Sequence, residues 1–123
     1  IDLICTHPPY ANAIQYSSDI KNDLSRLTHQ EFNIEMGKVA AECFRVLKKG
    51  KFCAILIGDI RKQGSNIPIG FQTLNTFLDA GFGLKEIVIK VQHNCKSTGI
   101  WIQRSKKYNF LLLAHEYLFI FKK

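Results

Sequence analysis

Six consecutive apolar residues, Phe52-Cys-Ala-Ile-Leu-Ile57, follow a long periodic segment that ends in Lys48-Lys49-Gly50. The run is too short for a helix of this kind, and a strand apolar at every position is expected to be covered on both faces. That demands a sheet whose connections cross over it. The segment before the run supplies one crossover. Thr28-x-x-Glu31 has the form of a capping box, and Phe32, Met36, Val39, Ala40, Cys43, Val46 and Leu47 fall on one helical face. Lys48 and Lys49 complement the negative end of the helix dipole, and Gly50 suits a left-handed cap.

The same alternation continues along the chain. Leu3-Ile4-Cys5 opens it as a strand, and Ala11 to Leu27 reads as a polar loop with weak helical turns. Gly58-Asp59 closes the central strand, and a polar, flexible segment leads through Arg61, Lys62 and Gly64 to Pro68. A second helix then packs through Phe71, Leu74, Phe77 and Leu78 and stops at Gly81. Leu84 to Val91 is a strand by its β-branched content. His93 to Asn109 reads as another polar segment, with an ambiguous run Phe110 to Ala114 before the final strand Tyr117 to Phe121. The expected fold is therefore α/β, a doubly wound, mostly parallel sheet with an antiparallel terminal hairpin. In such sheets sites form beyond the carboxyl ends of the strands. Thr6 to Tyr10 and Gly58-Asp59 both fall there.

Thr6-His7-Pro8-Pro9-Tyr10 is a turn with unusual constraints. Neither proline has a backbone donor, both hold φ near one value, and each pushes its predecessor toward extended geometry. The result is stiff and rich in carbonyl acceptors, with one aromatic face. It suits gripping a planar group that carries N–H donors, and a nucleobase amino group fits.

At 123 residues the chain is long enough for one core but short for an independent α/β enzyme, and it opens inside a strand, so it reads as a fragment. Its formal charge of +7 would draw in a polyanion. Candidate phosphate contacts are Arg61, Lys62, Lys96, Arg104, Lys106 and Lys107, and a further basic group is Lys48-Lys49-Lys51. Cys5, Cys43 and Cys53 lie in apolar runs and Cys95 stands apart, which favours buried reduced thiols and a cytoplasmic setting. No C-x-x-C or H-x-x-x-H spacing supports a metal site, so none is expected. No apolar run approaches the ~20 residues of a membrane span, so no membrane partner is expected. Oligomeric state is not legible.

Four features together resemble the amino-methylating DNA methyltransferases, which modify cytosine N4 or adenine N6. They are Asp2-Leu-Ile-Cys-Thr-His-Pro-Pro-Tyr10, the helix end Arg45-Val-Leu-Lys-Lys-Gly50, the strand Phe52 to Ile57, and His115-Glu-Tyr-Leu-Phe-Ile-Phe121. The resemblance covers nearly the whole chain. It implies a partial Rossmann-like methyltransferase fold, in which residues 1–123 form a single-domain fragment, the catalytic or target-base half. It also implies S-adenosyl-L-methionine as cofactor, DNA as partner, and a restriction-modification setting. The glycine-rich loop that principally binds the cofactor is expected outside this chain, on a side the sequence does not reveal, so the segment alone is expected to be inactive.

From the motif, the Pro8 carbonyl would accept one amino hydrogen, His7 stands where the family has Asp, Asn or Ser, Pro9 holds the turn, and Tyr10 would stack on an extruded base. Thr6 is the candidate cofactor contact beside Asp59, which either touches substrate or cofactor or caps a turn or helix. Thr6 before a non-acidic residue favours the cytosine-N4 pattern over the adenine-N6 one. Neutral imidazole can accept one hydrogen bond, but imidazolium can accept none. His115-Glu116 either orients the site loops or ends a turn. Trp101, among basic residues, suits stacking, although a lone tryptophan is expected in the core. The rival readings are an RNA or protein amide methyltransferase and a noncatalytic nucleic-acid-binding module.

Overall fold

A computed structural model describes residues 1–10, 18, 20, 23–93 and 98–123. Four strands form the main sheet: β1 (Leu3–Thr6), β2 (Phe52–Ile57), and two later strands numbered below. The helix α1 (His29–Val46) joins β1 to β2 and begins at the expected capping box, with Thr28 accepting from the Glu31 amide and Glu31 answering the Thr28 amide. Phe32, Met36 and Ala40 bury its inner face. The helix ends on extended Leu47, and Gly50 takes its positive φ of 78° two residues beyond Lys48, in the turn into β2. Gly50 is thus a turn glycine rather than the helix cap.

After β2 comes a small hairpin, β3 (Ile60–Lys62) and β4 (Ser65–Ile67), where the sequence suggests only a flexible segment. Gln63 and Gly64 both have positive φ, the geometry of a two-residue hairpin turn. α2 (Ile69–Asp79) packs through Ile69, Thr73, Leu74 and Phe77, whereas Phe71 and Leu78, expected in its core face, are partly exposed. β5 (Gly83–Val91), α3 (Thr98–Tyr108) and β6 (His115–Lys122) complete the chain. α3 stands where the sequence reads as a polar segment. It buries no residue, and Ile100, Trp101 and Ile102 are consecutive instead of spaced on one face.

The strand order is β1-β2-β6-β5. β1 and β2 are parallel, and β6 runs antiparallel to both β2 and β5, so three strands share one direction. The terminal antiparallel pair is therefore β5 with β6, joined through residues 92–114, and not a tight hairpin. The ambiguous run 110–114 is no strand. Because β6 inserts between β2 and β5, it is internal and well buried, with Phe119 and Phe121 fully covered.

α1 and α2 pack on each other and cover one sheet face, where Cys53, Ile55 and Ile57 meet Phe32, Met36 and Phe77. The other face is open among the described residues. Phe52 is 38% exposed, Cys5 is exposed, and Ala54 and Leu56 are only half-buried, so β2 is covered on one face here and not on two. β5 is exposed along its whole length, including Ile87, Val88 and Ile89.

Candidate active site

Because β6 is reversed, its beginning lies at the same end of the sheet as the ends of β1, β2 and β5. This brings together His7 to Tyr10, Gly58-Asp59, Lys90 to Gln92, and His115 to Tyr117. Pro8 is buried and Tyr10 half-buried, while the His7 side chain is 51% exposed. The proline turn thus seats its middle in the protein and offers the imidazole to solvent.

At the centre is Glu116, only 5% exposed. Its Oε1 accepts the Tyr10 hydroxyl, its Oε2 accepts Lys90 Nζ at 2.6 Å, and Gln92 adds a side-chain hydrogen bond. Burial alone would raise its pKa, but the bonds from Lys90, Tyr10 and Gln92 outweigh it and bring the carboxyl down to about 2. Tyr10 moves the other way: burial and then the Glu116 carboxylate push its phenol well above the ordinary range. Tyr10 therefore stays protonated and donates. His7 Nε2 lies 3.3 Å from the Tyr10 hydroxyl oxygen and 3.4 Å from Glu116 Oε1. Both neighbours offer acceptors, since the phenol proton is committed to Glu116. A neutral His7 therefore carries its proton on Nε2 and leaves Nδ1 as its acceptor.

Gly58 lets this cluster close. A Cβ there would stand 3.1 Å from the Tyr10 hydroxyl and 3.3 Å from Glu116 Cγ, and the Gly58 amide bonds the phenol oxygen. Asp59 caps α2, with Oδ1 accepting from the Gly70 amide at 2.9 Å and Oδ2 from the Tyr117 hydroxyl at 3.3 Å. Burial and then Asp59 raise the Tyr117 pKa. Thr6 ends β1 beside an open cleft of about 610 Å³, lined also by Cys5, His7, Leu56, Val88, Lys90 and Leu118.

The basic residues separate into three groups. Lys48 and Lys51 pair with Asp2 at the far end of β2, away from this cluster. Arg61 is engaged: it donates to the Gly64 and Leu111 carbonyls and lies over the Phe110 ring, tying the β3–β4 hairpin to the segment after α3. Lys62, Lys106 and Lys107 are exposed, and Arg104 lies over Trp101, 5.3 Å from its ring. Trp101 is 44% exposed and not in the core, because α3 has no buried residue. Lys96 and Cys95 lie outside the described residues. Among the described residues no three His, Cys, Asp or Glu side chains converge as metal ligands, and no helix is long and apolar enough to cross a membrane.

Sequence reasoning left Glu116 between two roles and missed Lys90 and Gln92 altogether. The available signal was Lys90 among the β-branched residues at the end of Leu84 to Val91, and Glu116 at the start of the mostly apolar segment His115 to Phe121.

A strand-end Pro-Pro-Tyr turn is tied here to a Glu of the final strand, and comparisons with known proteins show the family of the chain that carries it. A family model described as DNA methylase, covering N6 and N4 methyltransferases, matches residues 1–123. The chain belongs to this family. Among curated proteins, the DNA methylase segment is 33% identical to Type II beta methyltransferase M.BslI from Bacillus sp. (strain NEB-606), over 96% of this chain and 14% of that protein. In fold it is similar to PvuII DNA methyltransferase (cytosine-N4-specific), with a TM-score of 0.74 and 21% identity over 99% of this chain and 42% of that one. It is also similar to TTHA0409, a putative DNA modification methylase from Thermus thermophilus complexed with S-adenosyl-L-methionine, with a TM-score of 0.68 and 20% identity. That match covers all of this chain and 47% of the other. The DNA methylase chain thus spans a small part of its curated relative and under half of these solved structures.

Proposed function

We propose that these residues are the target-base half of an S-adenosyl-L-methionine-dependent DNA methyltransferase that modifies an exocyclic base amine, cytosine N4 in preference to adenine N6. The observation that carries the reading is the Pro8-Pro9-Tyr10 turn, held at the strand ends by the Tyr10–Glu116 bond in a chain of this family. The preference for cytosine rests on Thr6-His7, where no acidic residue precedes the prolines.

An exocyclic amine conjugated to its ring is a poor nucleophile, so position and electrostatics must do most of the work. The base leaves the duplex, because its amine cannot be reached in line within the stack. Tyr10 stacks on it. The Pro8 carbonyl accepts one amine hydrogen and His7 Nδ1 the other, which turns the nitrogen lone pair outward. S-adenosyl-L-methionine, when bound, supplies an electrophilic methyl group whose bond to sulfur breaks as its bond to the amine nitrogen forms. The nitrogen then loses a proton to water on the side of the site where His7 stands half exposed.

The residues present fit part of that cofactor. The cleft beside Thr6 is lined mainly by apolar surface, including Leu56, Val88 and Leu118, which suits the aromatic portion of such a ligand. Thr6 is the contact proposed there. Asp59 is a weaker one, because its oxygens already serve Gly70 and Tyr117. The sheet face left open by the described residues and the β1 edge are the surfaces that a cofactor-binding half would cover. Lys62, Lys96, Arg104, Lys106 and Lys107 are the proposed phosphate contacts. Unpaired thiols at Cys5, Cys43 and Cys53 support a reducing, cytoplasmic setting within a restriction-modification system.

The test is methyl transfer from labelled S-adenosyl-L-methionine to DNA, RNA and protein by the full-length parent, with nucleoside analysis of the product. N4-methylcytosine is expected. N6-methyladenine would overturn the base preference, and transfer to RNA or protein alone would overturn the substrate class. Salt-sensitive DNA binding without any transfer would leave a noncatalytic binding module.

A further inference from the structure

We infer that Glu116 is the positioning residue of this site, acting through the Tyr10 hydroxyl to set both rings of the proline turn; the inference rests on the methyltransferase reading above. Glu116 sits behind the turn, almost wholly buried, with one oxygen on Tyr10 and the other on Lys90.

Three observations carry it. First, the bond joins residues 106 apart in sequence and ties the β1 exit to β6 through side chains. Pro8 and Pro9 make the turn stiff but supply no donor to anchor it, so its orientation on the sheet depends on side chains. Second, a buried carboxylate is costly unless fully paired. Here it is held ionised by donors from β5, the residue after β5 and the turn, a set that fixes its two oxygens in space. Third, that fixed anion determines how the neighbouring groups use their protons. Tyr10 must donate to it, so His7 Nε2 must donate in turn and Nδ1 becomes the acceptor. A carboxylate that fixes the tautomer and orientation of a nearby histidine is a familiar physical device, and here the Tyr10 hydroxyl stands between them. Lys90 completes it by neutralising Glu116, so the site gains orientation without a net negative charge beside the DNA backbone.

The experiment uses the full-length parent with Tyr10→Phe, Glu116→Gln and the double variant. Steady-state rates are read against DNA and S-adenosyl-L-methionine, and thermal midpoints are read in parallel. A misplacement of about 1 Å at a reacting centre costs on the order of 10²-fold in rate. Each single variant is therefore expected to lower kcat by roughly 10- to 100-fold, with both KM values within about threefold of wild type. The double variant is expected to be no slower than the slower single one, because both remove the same link. Tyr10→Phe keeps the ring and the Glu116–Lys90 pair, so it carries the test if Glu116→Gln lowers the midpoint. Full kcat in Tyr10→Phe, or multiplicative effects in the double variant, would overturn the inference while the wild type remains a methyltransferase. A wild type that transfers no methyl group would overturn both readings together.

Discussion

Two regions meet at the same end of the sheet and are built on opposite principles. The strand-end cluster of Tyr10, Glu116 and Lys90 is drawn from three elements and links its side chains atom to atom, with its acid almost fully buried. The flank formed by α3 buries nothing, and it presents Trp101, Arg104, Lys106 and Lys107 outward. Chemistry that depends on orientation needs groups whose freedom is already lost, whereas contact with a flexible, highly charged backbone needs reach and charge. Arg61 belongs with neither, since its guanidinium is spent on two carbonyls and a ring.

The sharpest way to break the contrast is Tyr10→Ala. It removes a stacking surface worth ~1–3 kcal/mol per base and leaves a buried acid short of a donor. Initial rates in the full-length parent should fall by about 10²-fold, and a change under threefold would detach the turn from the chemistry. Gly70→Ala comes next and acts on stability. A Cβ there would stand 2.6 Å from Tyr117 Cδ2 and 3.2 Å from Asp59 Oδ1, at the capped start of α2. The expected loss is about 1–3 kcal/mol by urea titration, and an unchanged midpoint would mean that α2 moves freely.

The flank is tested by charge. Replacing Arg104, Lys106 and Lys107 with Gln should reduce the slope of log affinity against log salt by about three, at roughly one per lost phosphate contact. Arg61→Ala should leave that slope unchanged, which separates a latch from a phosphate contact. Smaller still is the acid response. The Glu116 carboxyl sits near 2 instead of its ordinary 4.5, so its contribution to stability is fully present above about 4.5 and is lost as pH falls from there toward 2. Glu116→Gln should flatten that portion of the stability profile. The mildest change is His7→Ser. If His7 only accepts a hydrogen bond, the variant keeps activity within several-fold; loss of activity with folding intact would require the imidazole itself.

Much of the frame was legible in the chain. The Thr28 to Leu47 pattern predicts α1 and its capping box, the apolar runs predict β1, β2, β5 and β6, and the proline turn falls beyond β1 as expected. Local chemistry sets these features. The β3–β4 hairpin was missed because Gln63-Gly64 is a weaker turn signal than Asn-Gly, although Gly64 still supplies the positive φ. α3 was missed because Gly99 lies in its first turn and its apolar residues are consecutive, so no buried face announces a helix. The core face of α2 shifted toward Ile69 and Thr73 because Asp59 anchors the helix start at Gly70.

By itself the sequence determined the alternation of strands and helices, the stiffness of Thr6 to Tyr10, and the family to which both belong, since periodicity, caps and prolines act over a few residues. Tertiary structure alone decided that β6 reverses between β2 and β5, and so that Glu116 meets Tyr10 from the far end of the chain. Strand order depends on which surfaces bury best together, and no short stretch of sequence carries that sum. The sequence therefore leaves Glu116 between orienting the site loops and ending a turn, and the order of the strands decides for Tyr10 as its partner.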